Sequence, residues 1–257
     1  MSRPSAICFV PARSGSQRVP HKNVARLNGH PIMAYTIAGA LTSGVFDAVM
    51  LCTDEPEYAK VGEYYGAEVP FLRPREISTS TSPDIEWVQL AINGLAERNR
   101  RYDLFSILRP TSPFRRASTI RAAFEQFTEK PGFDSLRAIS PVTEHPGKMW
   151  VVRGEVMVPL LPLNPPGVPW HSQQMASLPK VYKQNASLEI AWTRIATGPN
   201  PSIAGEVVMP WITEGYDGFD INQPGDMAEA QALIAAGKAA LPAIDKAPYP
   251  GTLPGES

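Results

Sequence analysis

The stretch PARSGSQRVPHKN, residues 11–23, gathers a glycine, two serines, two arginines, a histidine and a lysine directly after a short apolar run. Residues of these types bind anions. In a loop that opens toward a helix, backbone N–H groups point at a bound phosphate, and a glycine lets them approach it closely. Gly15, flanked by Ser14 and Ser16, suits that task. Arg13 and Lys22 would bring full positive charges to a polyphosphate, and Arg18 is a further candidate. The loop has neither the GxxxxGK[ST] order of a P-loop nor the GxGxxG of a dinucleotide site. For a single Gly-Ser pair, a solvated basic turn is an equally good reading.

The rest of the chain restricts what that anion is. The 257 residues carry 24 basic and 25 acidic side chains, a net charge of -1. Nonspecific nucleic-acid binding needs clustered excess Lys and Arg, so no nucleic-acid partner is expected, whereas one cationic pocket for a small anion is compatible with this balance. With 43% hydrophobic and 19% charged residues, the composition is that of a soluble globular protein with a sizeable core. No apolar run approaches the ~18 residues of a membrane span. The apolar segment near the N-terminus is too short for a signal peptide and reads as a first strand, so the expected compartment is the cytoplasm. Cys8 and Cys52 lie in strand-like runs and read as buried, reduced thiols. The four histidines are scattered and show no zinc-ligand spacing.

The elements that must position the loop alternate. AICFVPA (6–12) is a continuous apolar run, as for a strand buried on both faces. After the loop, PIMAYTIAGALTS is a helix opened by Pro31, and DAVMLCT (47–53) is a second strand. PEYAKVGEYYG reads as a helix closed by Gly66, and AEVPFL as a third short strand. Ser82 is placed to cap a helix beginning at Pro83, with Asp84 and Glu86 in its first turn. A strand over 103–109, a helix over ASTIRAAFEQFTEK and a strand over 134–140 follow. This alternation predicts an α/β fold with a mainly parallel sheet and helices on both faces, its ligand loops at the carboxyl edge.

The rhythm changes after Pro141. Residues 141–200 are proline-rich and carry strand-like pieces KMWVVRGE and NASLEIAWT, which reads as an inserted β-rich arm. A strand (206–209), the segment GYDGFDINQPGDM and a last helix return to the core over 201–237. The tail, 238–257, has little apolar content and is expected to be mobile. Trp150, Trp170 and Trp192 read as interface or core anchors.

Four segments in order carry a resemblance. PARSGSQRVPHKN, FLRPREISTSTSPDIEWV, LRPTSPFR and DINQPGDM, which together span most of residues 6–235, resemble the signatures of the acylneuraminate cytidylyltransferases, the makers of CMP-sialic acids and related CMP-sugars. The resemblance implies a Rossmann-like nucleotidyltransferase fold with residues 1–140 as nucleotide-binding core. It implies a homodimer in which the arm both dimerises and shapes the sugar site. The implied reaction uses CTP and Mg²⁺: the anomeric hydroxyl of an acidic nine-carbon sugar attacks the α-phosphorus and pyrophosphate leaves. Carried over by position, Arg13 and Lys22 contact phosphates, Asn23 lies near the nucleotide, and Arg73 and Ser82 hold the cytosine ring and ribose. Asp220 and Asn222 fall at the metal segment. Gln173, Gln184 and Asn185 fall among the sugar contacts, where capping of strands in an ordinary arm is the other reading.

This chain departs from that pattern in places. Gln17 and Arg18 stand where lysine or glycine is usual, and Asn222 where a second aspartate is usual; asparagine can still offer Mg²⁺ a carbonyl oxygen. Arg109 stands where the sialic-acid enzymes hold a sugar-touching glutamine. Its guanidinium matches an acceptor carboxylate in a bidentate fork, or else forms a salt bridge to Asp84 or Glu86. Two further readings follow: a cytidylyltransferase for another acid of Kdo or phosphonate type, and a nucleotide-binding regulator weakened by Gln17 and Asn222.

Overall fold

Alternate side chains of the first strand pack on opposite sides of one sheet. Ala6, Cys8 and Val10 face one hydrophobic cluster, and Ile7 and Phe9 face another. The computed structural model describes residues 3–161 and 167–256. In it the chain begins with β1 (Ala6–Pro11), the hairpin β2 (Arg26–Leu27) and β3 (His30–Pro31), and α1 (Ile32–Ser43). β4 (Ala48–Cys52), α2 (Pro56–Tyr64), α3 (Asp84–Ala96), β5 (Leu104–Ile107), α4 (Ala117–Glu129) and β6 (Ser135–Pro141) follow. Beyond them lie β7 (Trp150–Arg153), β8 (Val156–Pro159), β9 (Tyr182–Trp192), α5 (Thr193–Thr197), β10 (Val208–Ile212) and α6 (Asp226–Ala235).

Six strands form the main sheet in the order β10-β6-β9-β5-β1-β4. β1 pairs in parallel with β4 and β5, and β10 in parallel with β6; β9 runs antiparallel between β5 and β6. Helices α1, α2 and α4 cover one face. On the other face α3 and α5 close over Phe9, Phe105 and Trp87, whose rings meet at 6.1 Å. The mainly parallel α/β expectation is met, and α6 packs on α1 through Ile32, Tyr35 and Ala230.

Four expectations need correction. AEVPFL contributes only one bridge, Met50 to Glu68, because Pro70 has no N–H to extend the ladder. The final strand starts at Val208, not at 206. The arm is smaller than residues 141–200. NASLEIAWT lies in β9, and its residues 187–191 are all buried, so it fills the middle of the sheet. Among the described residues of this stretch, the β7–β8 hairpin and the turns around 170–177 lie outside the main sheet. Residues 162–166 of the proline-rich stretch lie outside the described residues.

The fourth correction concerns the tail, which is docked. Leu253 is 2% exposed within the core, and Ile244 and Tyr249 pack against the same cluster. The Arg26 guanidinium holds Glu256 at 2.5 Å. The tail has few apolar residues, but several of them pack against the core.

Cys8 and Cys52 are free and buried. Burial raises the Cys8 thiol far above its ordinary range and pushes Cys52 up to about 12. Both should therefore stay protonated and unreactive toward a disulfide reagent at pH 8 in the native protein, and react together on denaturation. Rapid labelling of the native protein would show that the strands around them open.

Candidate active site

The loops leaving the carboxyl ends of β1 and β5 meet residues 73–84 and 220–222 around a cavity of about 500 Å³. Arg13, Ser16, Arg18, Lys22 and Asn23 come from the first loop. Arg73, Ser82, Asp84 and Trp87 form a second wall, with Arg109 and Thr111 beyond β5 and Asp220 and Asn222 before α6. Five cations thus face two carboxylates, and such a cavity attracts a polyanion.

The first loop is held from both ends. The Ser14 N–H and hydroxyl both donate to Asp54, each at 2.8 Å, so Ser14 fastens the loop to the end of β4 and does not line the cavity. Asn23 is buried and donates to the Arg13 carbonyl at 3.1 Å. A Cβ on Gly15 would meet only the Ser78 carbonyl, at 3.9 Å. Packing therefore does not demand glycine at 15; its effect is to leave the loop backbone bare. Among the described residues, Arg18 has no hydrogen-bonding partner, and Arg13 has one long contact, to the Ser78 carbonyl at 3.5 Å.

Lys22 joins this loop to the far end of the chain. Its Nζ donates to the Ile221 carbonyl at 3.2 Å and to Asn222 Oδ1 at 3.0 Å. Burial lowers the Lys22 pKa, with Arg18 and Arg13 adding to the drop while Asp220 opposes it. The other side of the Asn222 amide donates to Asp220. Asn222 is therefore a bridge between lysine and carboxylate, and its carbonyl oxygen, the atom the sequence offers to a metal, accepts from Lys22. Asp226 accepts the N–H groups of Asn222 and Gln223 at 2.6 and 2.7 Å, which fixes the turn. Asp220 Oδ1 is buried and has no hydrogen-bond partner among the described residues. Among the described residues no three His, Cys, Asp or Glu side chains group to hold a metal. The donor set fits a cation held by Asp220 together with oxygens of a bound anion.

Arg73 and Ser82 reach the cavity, but both are engaged. Arg73 is 7% exposed and donates to the Ile77 carbonyl, and its guanidinium lies 5.7 Å from the Trp87 ring. Burial lowers its pKa. Ser82 does not cap α3, whose N-cap is Pro83; its hydroxyl pairs with Thr79 at 2.7 Å and shapes the loop instead.

Arg109 follows the salt-bridge reading. It contacts Asp84 at 2.5 Å and Glu189 at 3.3 Å, and Arg137 joins Glu189 at 2.8 Å. Burial works against the Arg109 charge, yet the two carboxylates outweigh it and raise its pKa. Burial would likewise raise the Asp84 carboxyl, but Arg109 holds it below the ordinary range. Both contacts use one terminal nitrogen of the guanidinium, which also lines the cavity.

Gln173, Gln184 and Asn185 do not line the cavity. Gln173 is half-buried and donates to the Val168 carbonyl at 2.6 Å, and Gln184 is exposed on β9. Asn185 donates to Thr213 at 3.0 Å, and a Cβ on Gly218 would sit 2.8 Å from the same amide nitrogen. It braces the turn that leads to Asp220.

Sequence reasoning missed the supports. Arg115 is 2% exposed, and its guanidinium donates to the Ser187 and Arg109 carbonyls and to the Thr36 hydroxyl. It ties β5, β9 and α1 below the cavity, and burial lowers its pKa to about 10. Asp217 accepts from Arg116 and Thr119 and fixes the approach to Asp220 on α4. An arginine closing PTSPFR and an acid three residues before Asp220 were the available signals.

A cytidylyltransferase family model matches residues 7–146. Over 238 residues the chain is 31% identical to the CMP-N,N'-diacetyllegionaminic acid synthase of Legionella pneumophila, covering 91% of this chain and 98% of that one. It is 37% identical over 123 residues to the pseudaminic acid cytidylyltransferase of Campylobacter jejuni, a match that takes in 48% of this chain and spans 53% of that protein's length. In fold it resembles a CMP:2-keto-3-deoxy-manno-octonic acid synthetase solved with CTP, at a TM-score of 0.64 and 13% identity over 91% of this chain and 99% of that one.

Arg109→Gln should lower stability by ~2 kcal/mol at pH 7, because Asp84 and the buried Glu189 lose a partner while Arg137 remains. The folded Asp84 pKa lies below its unfolded value, so this stabilisation is present above pH ~4 and lost as pH falls through the folded pKa. Denaturant titrations at pH 7 and pH 3 should show the gap narrowing in acid. An equal gap at both pH values would remove Asp84 from the account.

Proposed function

The chain belongs to the cytidylyltransferase family, and on that premise we propose that it activates an acidic nonulosonic acid with CTP, giving a CMP-sugar and pyrophosphate. One observation carries this reading: Lys22 lies against the Ile221–Asn222 backbone and amide, beside an Asp220 oxygen that none of the described residues satisfies. Cations for a triphosphate and a carboxylate for its counter-ion thereby share one cavity.

The residues divide the work by charge and freedom. Arg13 and Arg18, the least engaged cations of the loop, meet phosphate oxygens, and Lys22 meets them from the side of Asp220. The acceptor's anomeric hydroxyl oxygen bonds to the α-phosphorus, the bond from that phosphorus to the bridging oxygen breaks, and pyrophosphate leaves with its pair of electrons. The hydroxyl proton passes to solvent. Transfer of this kind depends mainly on positioning and on neutralising developing charge. Asp220 would hold Mg²⁺, which supplies positive charge at the triphosphate. Arg73 and Ser82 shape the wall where the base and ribose would lie.

The nonulosonic acceptor is favoured over a Kdo type because a relative matching nearly the whole chain is a CMP-N,N'-diacetyllegionaminic acid synthase, whereas the Kdo enzyme shares only the fold at 13% identity. A homodimer fits the β7–β8 hairpin, where Val152, Val156 and Met157 are 73%, 64% and 57% exposed. Buried reduced thiols and use of CTP suit the cytoplasm, and among the described residues no helix is long and apolar enough to cross a membrane.

The test is pyrophosphate release from CTP and UTP with legionaminic, pseudaminic and N-acetylneuraminic acids and Kdo. Release with CTP and a nonulosonic acid is expected, and Asp220→Asn should lower it by at least ~100-fold. Release with Kdo alone, or with none of the acids, would overturn the reading. In sedimentation the wild type should be dimeric and Val152→Asp/Met157→Asp monomeric; a monomeric wild type would remove the hairpin interface.

A further inference from the structure

The 3-10 turn that carries Lys22, Lys22–Val24, is touched from two directions by one stretch of chain. At residues 221–222 that stretch accepts the Lys22 ammonium. It then forms α6, crosses α1 and the end of α2, and returns to the opposite side of the same turn. The crossing is fastened by specific contacts. Lys246 donates to the Tyr64 carbonyl at 2.5 Å, the Tyr249 N–H donates to the Tyr65 hydroxyl at 3.0 Å, and Leu253 is buried in the core.

At the landing point Arg26 gathers the segment. Its guanidinium pairs with Glu256 at 2.5 Å and donates to the Tyr249 carbonyl at 3.3 Å. Gly255, at a φ of +93°, fits against His21 so closely that a Cβ would lie 3.3 Å from the imidazole. His21 itself holds a left-handed conformation, φ 51°, and its ring meets the Tyr58 hydroxyl at 3.1 Å. A non-glycine residue in that region persists only when its surroundings hold it there. His21 immediately precedes Lys22, so any slack in it moves the ammonium.

We propose that residues 239–256 are a positioning strap, which clamps His21 and Arg26 and so holds Lys22 at its place in the anion cavity. Its functional half rests on the CTP reading above. The strap touches no reacting atom. Its effect falls on how well the loop is organised before a phosphate arrives, and therefore on binding more than on turnover.

Two variants test it. Leu253→Asn/Glu256→Gln releases the landing point, and Gly255→Val, whose side chain resists a φ of +93° and crowds His21, unseats the end of the strap without altering Leu253 itself. Amide hydrogen exchange should quicken at residues 21–27 in both, with β1 and β4 unchanged. The affinity for inorganic pyrophosphate, read by calorimetry, and KM for CTP should each worsen by about 5- to 10-fold with kcat within about twofold. Two outcomes would overturn the proposal: exchange at 21–27 that stays slow while 239–256 opens, or loosened exchange with unaltered pyrophosphate affinity and KM. A wild-type protein that binds neither pyrophosphate nor CTP would remove the functional reading instead, and exchange at 21–27 would then decide the strap alone.

Discussion

The contact between Lys22 and residues 221–222 joins parts of the chain about 200 positions apart, and the site depends on it. A lysine ammonium taken partly out of water needs oxygen partners, and here a backbone carbonyl and an amide oxygen supply them. That need draws the segment before α6 onto the first loop, which brings Asp220 beside the loop cations. Without it, the carboxyl edge of the sheet would offer a basic loop and, elsewhere, an unrelated acidic turn.

The supporting charges follow the same logic on the other side of the cavity. Arg109 and Arg137 are matched by Asp84 and Glu189, so those charges shape the floor without adding to its pull on an anion. Arg115 has no carboxylate partner among the described residues; two carbonyls and a hydroxyl take its terminal N–H groups, and among those residues its Nε has no partner. It converts a buried charge into a tie between β5, β9 and α1. The net attraction of the cavity then comes mainly from Arg13, Arg18 and Lys22, all in one loop.

Much of this was legible in the sequence. Strands buried on both faces announce themselves as unbroken apolar runs, and β1 and β4 were placed from AICFVPA and DAVMLCT alone. The anion loop was legible because its residue types have few other uses together. Three features were not legible, for physical reasons. β9 carries Glu189 in its buried middle, and a charged residue there hides the strand's central position until Arg109 and Arg137 appear beside it. The docking of the tail is not legible because mean apolar content does not register single residues, such as Leu253 and Tyr249, that pack into the core. The bridging role of Asn222 and the engaged state of Arg109 depend on partners far away in sequence, which no local spacing encodes.

The proposed activity requires one cavity to hold a triphosphate between Lys22 and Asp220. A crystal structure of the chain with CTP and Mg²⁺ addresses this most directly. The phosphate oxygens should lie within hydrogen-bond distance of Lys22 Nζ and the Arg13 guanidinium, and the metal should bridge them to Asp220 Oδ1. A triphosphate bound away from residues 13–22, or a metal with no bond to Asp220, would contradict it.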